Sequence, residues 1–457
     1  MKKAFAIISS ILNAALAALF CIWLFGQNRL ETVCVIAAAV CTLLFAFLMT
    51  LFVKKLLEDW FSSEIEYVET EPLRRNRFDI RHPWLKIVVY MVVSRIAILV
   101  LAYLIDLWAN GYSGGIFDTM RRLWLRSDSP SYLGISERWY VTDGDPMYHI
   151  VFLPFYPCVI AVFNLITHSS FASAMLVSSL SSVGAAIMLY ELAAIDHDRR
   201  FSMRVVKYMF ILPAAFFYVS PMTEGLFLLL CVSCMYFIRR RKYLIAALFG
   251  ALASFTRSPG VVLIVPMVIE AVKDIVNAYR TKTRRKARLW LERVFACLIV
   301  PLGFAGYLLV NYAVWGDPFK FMQFQREHWS QQLGYFFNSA SYQTHYFLLR
   351  LDESDLRLAW GLWFPNLFCI FASLIVMLPN AKRMRASYTG YFLAYFVMTI
   401  GPTWLLSAPR YLTAAFPIAF AMAYMTRGKK ADAAATVVCA ALLVLYLSAN
   451  ALGFPVY

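Results

Sequence analysis

The residues of this chain best suited to chemistry are a few charged groups set among apolar ones. Asp128 lies in the run LRSDSPSYLGISERWYVTDGDPMYHIVFLPFYP at 125–157, Glu224 follows SPMT, Arg257 sits in FTRSPG and Arg410 in PRY. A carboxylate at a membrane–water boundary can take the proton of a hydroxyl. At the start of an amphipathic stretch the same carboxylate can instead cap a helix, so Asp128 has two readings, base and cap. Glu224 likewise either caps the helix that follows or hydrogen-bonds a hydroxyl. Arg257 and Arg410 each stand at the Pro-marked end of an apolar segment and carry a planar donor fork that suits phosphate oxygens; plain interfacial anchoring is the alternative. Asp143-Gly144-Asp145-Pro146 offers an Asp-x-Asp pattern for a hard divalent cation, but Asp-Gly and Asp-Pro are turn signals first. The six histidines show no metal-ligand spacing. Neither a metal nor a cofactor is expected.

These groups must be held by elements of an unusual composition. Hydrophobic residues make up 61% of the 457 positions and charged ones 15%, against roughly 25% charged in a soluble domain. Apolar runs of about 20 residues recur along the chain, each long enough to cross a hydrocarbon core. The net charge of +16 does not point to nucleic acid, because Lys and Arg gather in short clusters between apolar runs, as the positive-inside rule describes. The nine cysteines fall in apolar segments, so no disulfide framework is expected. Cys231 and Cys234 read as packing thiols. Met1-Lys2-Lys3 before an apolar run resembles a signal peptide, but the run reads as a retained first span.

The expected fold is all-α: a polytopic transmembrane helical bundle of about thirteen spans. They cover 4–25, 32–53, 87–108, 171–195, 205–220, 225–237, 243–255, 260–275, 294–313, 358–378, 388–406, 411–425 and 433–451. Residues 1–53 form two accessory spans, 54–86 a cytoplasmic linker and 87–457 the main module. The long loop at 109–168 ends in an apolar stretch broken by Pro154 and Pro157, which reads as an interfacial or re-entrant helix. Arg95, inside the third span, either faces a polar cavity or snorkels. With the N-terminus inside, the charge clusters fall inside as well, and Asp128, Glu224, Arg257, Arg410 and the 316–357 loop all lie on the outer face.

Taken together, the motifs resemble the GT-C superfamily of polytopic glycosyltransferases, and within it the family of the GPI-anchor second mannosyltransferase and its bacterial relatives. The resemblance rests on Ser127-Asp128, Tyr132-Leu133-Gly134-Ile135-Ser136 and Phe152-Leu153-Pro154-Phe155-Tyr156-Pro157 in the loop. It continues through Met222-Thr223-Glu224-Gly225-Leu226-Phe227, Phe255-Thr256-Arg257-Ser258-Pro259-Gly260, the Gly-Asp-Pro element at 316–321 and Pro409-Arg410-Tyr411. It runs in order from about Arg95 to Pro417 and leaves the first two spans outside. Ser127 stands where the family has Trp, and Ser258 is inserted before the Pro of the hairpin tip.

The resemblance implies a GT-C fold with a long first external loop carrying interfacial helices, in a multi-pass protein of the cell membrane. It implies inverting transfer of a sugar, mannose first, from a polyprenyl-phosphate donor lipid to a glycan, glycolipid or protein acceptor on the extracytoplasmic face. Asp128 would be the general base. Glu224, Arg257, Arg410 and Tyr411, with Tyr132, His149 and Tyr156 of the loop, are the candidates for substrate contact. No nucleotide site is needed, and no Gly-rich phosphate loop follows a strand. The main alternative is a lipid or glycolipid transporter, which would show internal repeats and paired broken helices; no repeat is visible. Other lipid transferases would favour a Ser or Thr nucleophile with His and metal ligands, a set the outer loops lack.

Overall fold

The computed structural model describes residues 1–27, 30–61, 83–111, 115–281 and 286–456. Every regular element among them is helical. Of the expected linker, 54–61 continue the second helix and 83–86 open the third, while 62–82 lie outside the described residues.

Helices α1 (Lys2–Phe25) and α2 (Thr32–Phe61) form a hairpin. Its outer face keeps Ile7, Ile11 and Ile22 exposed, as fits a surface solvated by lipid tails rather than water. Its inner face is built into the bundle: the Trp60 indole donates to Ile269 O at 2.9 Å, and Asp59 accepts from Ala386 N at 3.0 Å. Helix α3 (Pro83–Asn110) buries Ile87, Met91, Arg95, Ile98, Ala102 and Asp106, the one-face spacing of a helix against a core. Arg95 is thus turned inward, its Nε 3.4 Å from Ser182 Oγ and its guanidinium over Phe210.

The long loop folds into α4 (Ile116–Trp124), α5 (Ser129–Arg138), a 3-10 turn at Asp145–Val151 and α6 (Phe155–Thr167). The last two meet at 113°, with Pro154 at the N-cap of α6. A broken, bent segment is what the two prolines led one to expect. Asp143 and Asp145 are exposed, and Gly144 takes φ 66° between them, so this stretch is a turn.

Beyond it, α7 (Ser170–Ala193) starts at a Ser169 cap and α8 (Arg199–Ile211) at an Asp198 cap. There follow α9 (Glu224–Arg239), α10 (Tyr243–Thr256), α11 (Ile264–Arg280), α12 (Lys286–Trp315), α13 (Lys320–Trp329) and α14 (Phe336–Asp352). Helices α15 (Leu356–Asn380), α16 (Ala386–Ile400), α17 (Pro417–Met425) and α18 (Lys429–Ala451) complete the chain. Small residues set the helix spacing. A Cβ on Gly225 of α9 would lie 2.7 Å from Ser178 O of α7, and one on Gly303 of α12 would lie 1.8 Å from Ala251 O of α10.

Seven of these helices (α1, α2, α3, α7, α12, α15 and α18) are long and apolar enough to cross a membrane, and the bent pair would be an eighth. The remaining expected spans fall on shorter helices: α8 and α9 have 13 and 16 residues, α10 and α11 14 and 17, α16 and α17 15 and 9. Pro213, Pro221, Pro259, Pro402 and Pro409 lie in the breaks between them, where proline removes a helical donor and clashes with the preceding turn. Irregular backbone is tolerated at membrane depth where protein surrounds it. Here the broken ends face one another inside the bundle.

Helix α9 separates two polar regions by its own length, about 24 Å at 1.5 Å per residue. Its C-terminal Arg239 pairs with Asp196 at 2.5 Å, beside Arg385–Glu270 at 3.4 Å and Arg293–Asp274 at 3.3 Å. Its N-terminal Glu224 belongs to the other region.

Candidate active site

Four charges drawn from distant parts of the chain meet at the broken helix ends. Glu224 Oε1 accepts from Arg410 Nε at 2.5 Å and from Arg257 Nη1 at 2.7 Å, while Arg410 Nη1 lies 2.6 Å from Asp128 Oδ2. The side chains of Glu224 and Arg410 are 0% and 3% exposed, and that of Asp128 is 28% exposed. Two carboxylates and two guanidiniums sum to no net charge. That balance is what makes so deep a cluster tolerable, because an unpaired buried charge costs several kcal/mol. Glu224 Oε2 is buried and has no hydrogen-bond partner among the described residues. The cluster therefore holds one unspent acceptor, and its Asp128 corner is open to the outside.

Each charge is positioned by local structure. Asp128 is the N-cap residue of α5, but its side chain makes no capping bond; its carboxylate turns to Arg410 instead. The segment before it is anchored by Arg122 to Asp106 of α3 at 2.5 Å and by Arg126, which donates to Asn450 O of α18. Between Arg126 and Asp128, Ser127 adopts φ 52°, a left-handed conformation uncommon outside glycine. Glu224 is the first residue of α9, brought inward by the close α7–α9 approach at Gly225.

Arg257 ends α10 in an extended conformation, just before the 3-10 turn Ser258–Leu263. Its guanidinium lies over the rings of Tyr411 and Phe227, at 5.0 and 5.6 Å. Both arginines are directed into the bundle, with side chains 13% and 3% exposed.

The Arg410 turn, Ala408–Tyr411, is held from several sides. Asn366 Oδ1 accepts from Ala408 N at 2.8 Å, and the hydroxyls of Tyr395, Tyr391 and Tyr218 donate to the carbonyls of Tyr411, Ala414 and Thr413 at 2.8, 3.1 and 2.6 Å. Helix α14 holds the strand of chain leading to it: Ser339 Oγ donates to Ile400 O at 2.6 Å, and Gln343 donates to Leu405 O. Tyr391 and Tyr395 lie one turn apart on α16. That spacing was visible in the sequence, yet inside an apolar segment it reads as ordinary packing.

The loop aromatics form one wall. Tyr132 packs edge-on against Phe152 and Tyr156 at 5.2 and 5.3 Å. The Tyr156 hydroxyl is 2.8 Å from Ser178 Oγ, which donates to Met222 O at 3.0 Å in the turn before Glu224. Burial pushes the Tyr132 phenol up, and the neighbouring Asp128 carboxylate adds to the effect, so Tyr132 remains a neutral donor. Of the expected residues, Asp128, Glu224, Arg257, Arg410, Tyr411, Tyr132 and Tyr156 come together. His149 does not join them: its ring lies against Gly134 and 6.3 Å from Phe152, and it bonds to none of the four charges.

No protein-family model and no curated protein matches the sequence. Among solved structures, ArnT from Cupriavidus metallidurans bound to undecaprenyl phosphate is similar at 15% identity and a TM-score of 0.47, over 79% of this chain and 63% of that one. The oligosaccharyltransferase AglB from Archaeoglobus fulgidus, in complex with an inhibitory peptide and a dolichol-phosphate, is similar at 13% identity and a TM-score of 0.39, over 78% and 55%. The chain thus spans less than two thirds of the length of either. At these values neither the activity nor the ligands of those proteins transfer to it.

Proposed function

We propose that this chain is a membrane glycosyltransferase that moves a sugar from a polyprenyl-phosphate donor to an acceptor hydroxyl, with inversion. The reading takes mannose as the sugar and the extracytoplasmic face as the site of reaction, following the motifs shared with the GPI second-mannose transferases. The observation that carries it is the neutral buried cluster of Asp128, Arg410, Glu224 and Arg257, in which two phosphate-compatible guanidiniums adjoin one half-open carboxylate.

The acceptor oxygen attacks the anomeric carbon on the face opposite the phosphate. The bond from that carbon to the phosphate oxygen breaks with its electron pair, and the hydroxyl proton passes to Asp128. As the donor diester with one negative charge becomes a monoester dianion, Asp128 goes from anionic to neutral, so the charge in the site is conserved. Arg410 stands between the two. Its attraction to Asp128 falls as that carboxylate is protonated, while its attraction to the phosphate rises. Interactions that strengthen only as the transition state forms are those that speed the chemical step, and donors aimed at the developing charge in a dry site are worth the most.

The test is to supply the purified chain in liposomes with labelled polyprenyl-phosphate mannose, or other polyprenyl-phosphate sugars, together with membrane-derived acceptors. The expected result is label on the acceptor and an equal amount of free polyprenyl phosphate. A transporter would redistribute intact lipid between leaflets without releasing phosphate, and that result would overturn the reading.

A further inference from the structure

Away from the four charges, the start of α2 and the middle of α14 bring together a mixed set of donor atoms. Glu31 Oε1 is 3.1 Å from His345 Nδ1, Glu31 Oε2 is 3.9 Å from Cys34 Sγ, and one ligand atom from each of the three residues fits within 4.8 Å of the others. We propose that Glu31, Cys34 and His345 form a binding site for a zinc-class divalent cation that fastens the α1–α2 hairpin to α14.

The donor set is selective in kind. One thiolate, one imidazole and one carboxylate are the mixture a borderline-soft ion of the zinc type takes, whereas calcium and magnesium take oxygen alone. The spacing is close to what such an ion needs. With bonds of about 2.0–2.3 Å, tetrahedral donors stand about 3.3–3.8 Å apart; here the contacts to the two Glu31 oxygens are 3.1 and 3.9 Å, and the three ligand atoms lie within 4.8 Å of one another. A closure of about 1 Å by the two exposed side chains, Glu31 and His345, brings all three into that range. Three protein ligands leave a fourth position for water, and Glu31 and His345 are 55% and 45% exposed, so the ion has an entry path. Cys34 is 1% exposed, which fixes its sulfur while shielding it from oxidation.

The carriers are rigid, as a site of defined geometry requires. Glu31 and Cys34 are three residues apart across the first turn of α2, with Cys34 N bonded to Glu31 O at 3.0 Å. Helix α14 is locked to the hairpin by Trp23 Nε1 on Asn338 Oδ1 at 2.9 Å and by Phe45 against Phe336 at 4.5 Å. The Glu31 carboxylate already bridges the other two, one oxygen to the His345 ring and the other to the Cys34 thiol. A cation satisfies all three at once.

The proposal is independent of the sugar-transfer reading and is tested without an activity assay. The chain is purified in detergent, stripped with chelator and dialysed against Zn2+ or Co2+, and bound metal is counted by mass spectrometry. One equivalent of Zn2+ is expected, and with Co2+ a near-ultraviolet thiolate-to-cobalt absorption band. Both should be lost in Cys34→Ser and in His345→Ala, and retained in Cys21→Ser, which alters an exposed cysteine elsewhere. His345→Ala changes an exposed residue and keeps the test valid if Cys34→Ser misfolds. A wild-type chain that holds no ion after dialysis would overturn the site, as would equal binding by both ligand variants, which would mark the metal as adventitious.

Discussion

Asp128 occupies the N-cap position of α5 without capping it: its Oδ2 lies 2.6 Å from Arg410 Nη1, and no side-chain bond reaches the helix. The residue's stability role and its chemistry are therefore separable. Asp128→Asn leaves Arg410 paired with Glu224, so folding and donor binding should persist. Loss of general-base assistance should lower turnover by about 10²–10⁴-fold. Turnover above about a tenth of wild type with an unchanged melting temperature would remove Asp128 from the mechanism.

Glu224→Gln should act first on stability. Among the described residues, Glu224 is the one carboxylate partner of Arg257 and one of two for Arg410. Removing one member of a buried ion pair costs about 3–5 kcal/mol, so thermal unfolding in detergent should shift down sharply. Adding Arg257→Gln to Glu224→Gln should recover part of that loss. Strictly additive losses would mean that the two residues are not coupled.

Arg410→Lys tests the fork. The guanidinium serves Asp128 and Glu224 through different nitrogens, and a point-like ammonium cannot reproduce that geometry. Losing one charge-assisted hydrogen bond to the donor phosphate should raise the donor KM roughly 10–100-fold. An unchanged KM in a well-folded variant would leave Arg410 a structural role only.

Gly225→Ala probes the packing that brings Glu224 inward. The added methyl would meet Ser178 O at 2.7 Å, and overpacking of this kind costs about 1–3 kcal/mol. Gly306→Ala is the control, because its Cβ would have only ordinary contacts with Phe255 at 3.6 Å. Equal stability of the two variants would contradict the close α7–α9 approach.

Orientation is open to direct labelling. Leu333, 79% exposed beside α14, should react as Leu333→Cys with an impermeant thiol reagent in intact cells. Lys382→Cys, at the Arg239 end, should react only after permeabilisation. The reverse pattern would invert the proposed face of the reaction.

How much of this was legible in the sequence depended on distance along the chain. Asp128, Glu224, Arg257 and Arg410 could be picked out by residue type and by the prolines near them, and Pro154 with Pro157 signalled the bent segment. Their pairing could not be read, since Arg410 and Glu224 are 186 residues apart. Hydropathy located the apolar stretches but not the helix breaks within them, because it measures transfer to lipid and not continuity of hydrogen bonding. The Glu31–Cys34–His345 group was hidden for the same reason, with 314 residues between its imidazole and its carboxylate.

The order in which the four charges enter the chain bears on how the protein is made. Glu224 and Arg257 are 33 residues apart and can neutralise each other as soon as α9 and α10 are inserted. Arg410 follows Glu224 by 186 residues, a delay of about 10–40 s at ordinary synthesis rates. Through that interval Asp128 lacks its Arg410 partner, because the Arg410 turn does not yet exist. The Asp128 corner is thus completed last, and a nascent chain halted before Arg410 would carry a half-paired cluster that quality-control machinery could recognise as unfinished.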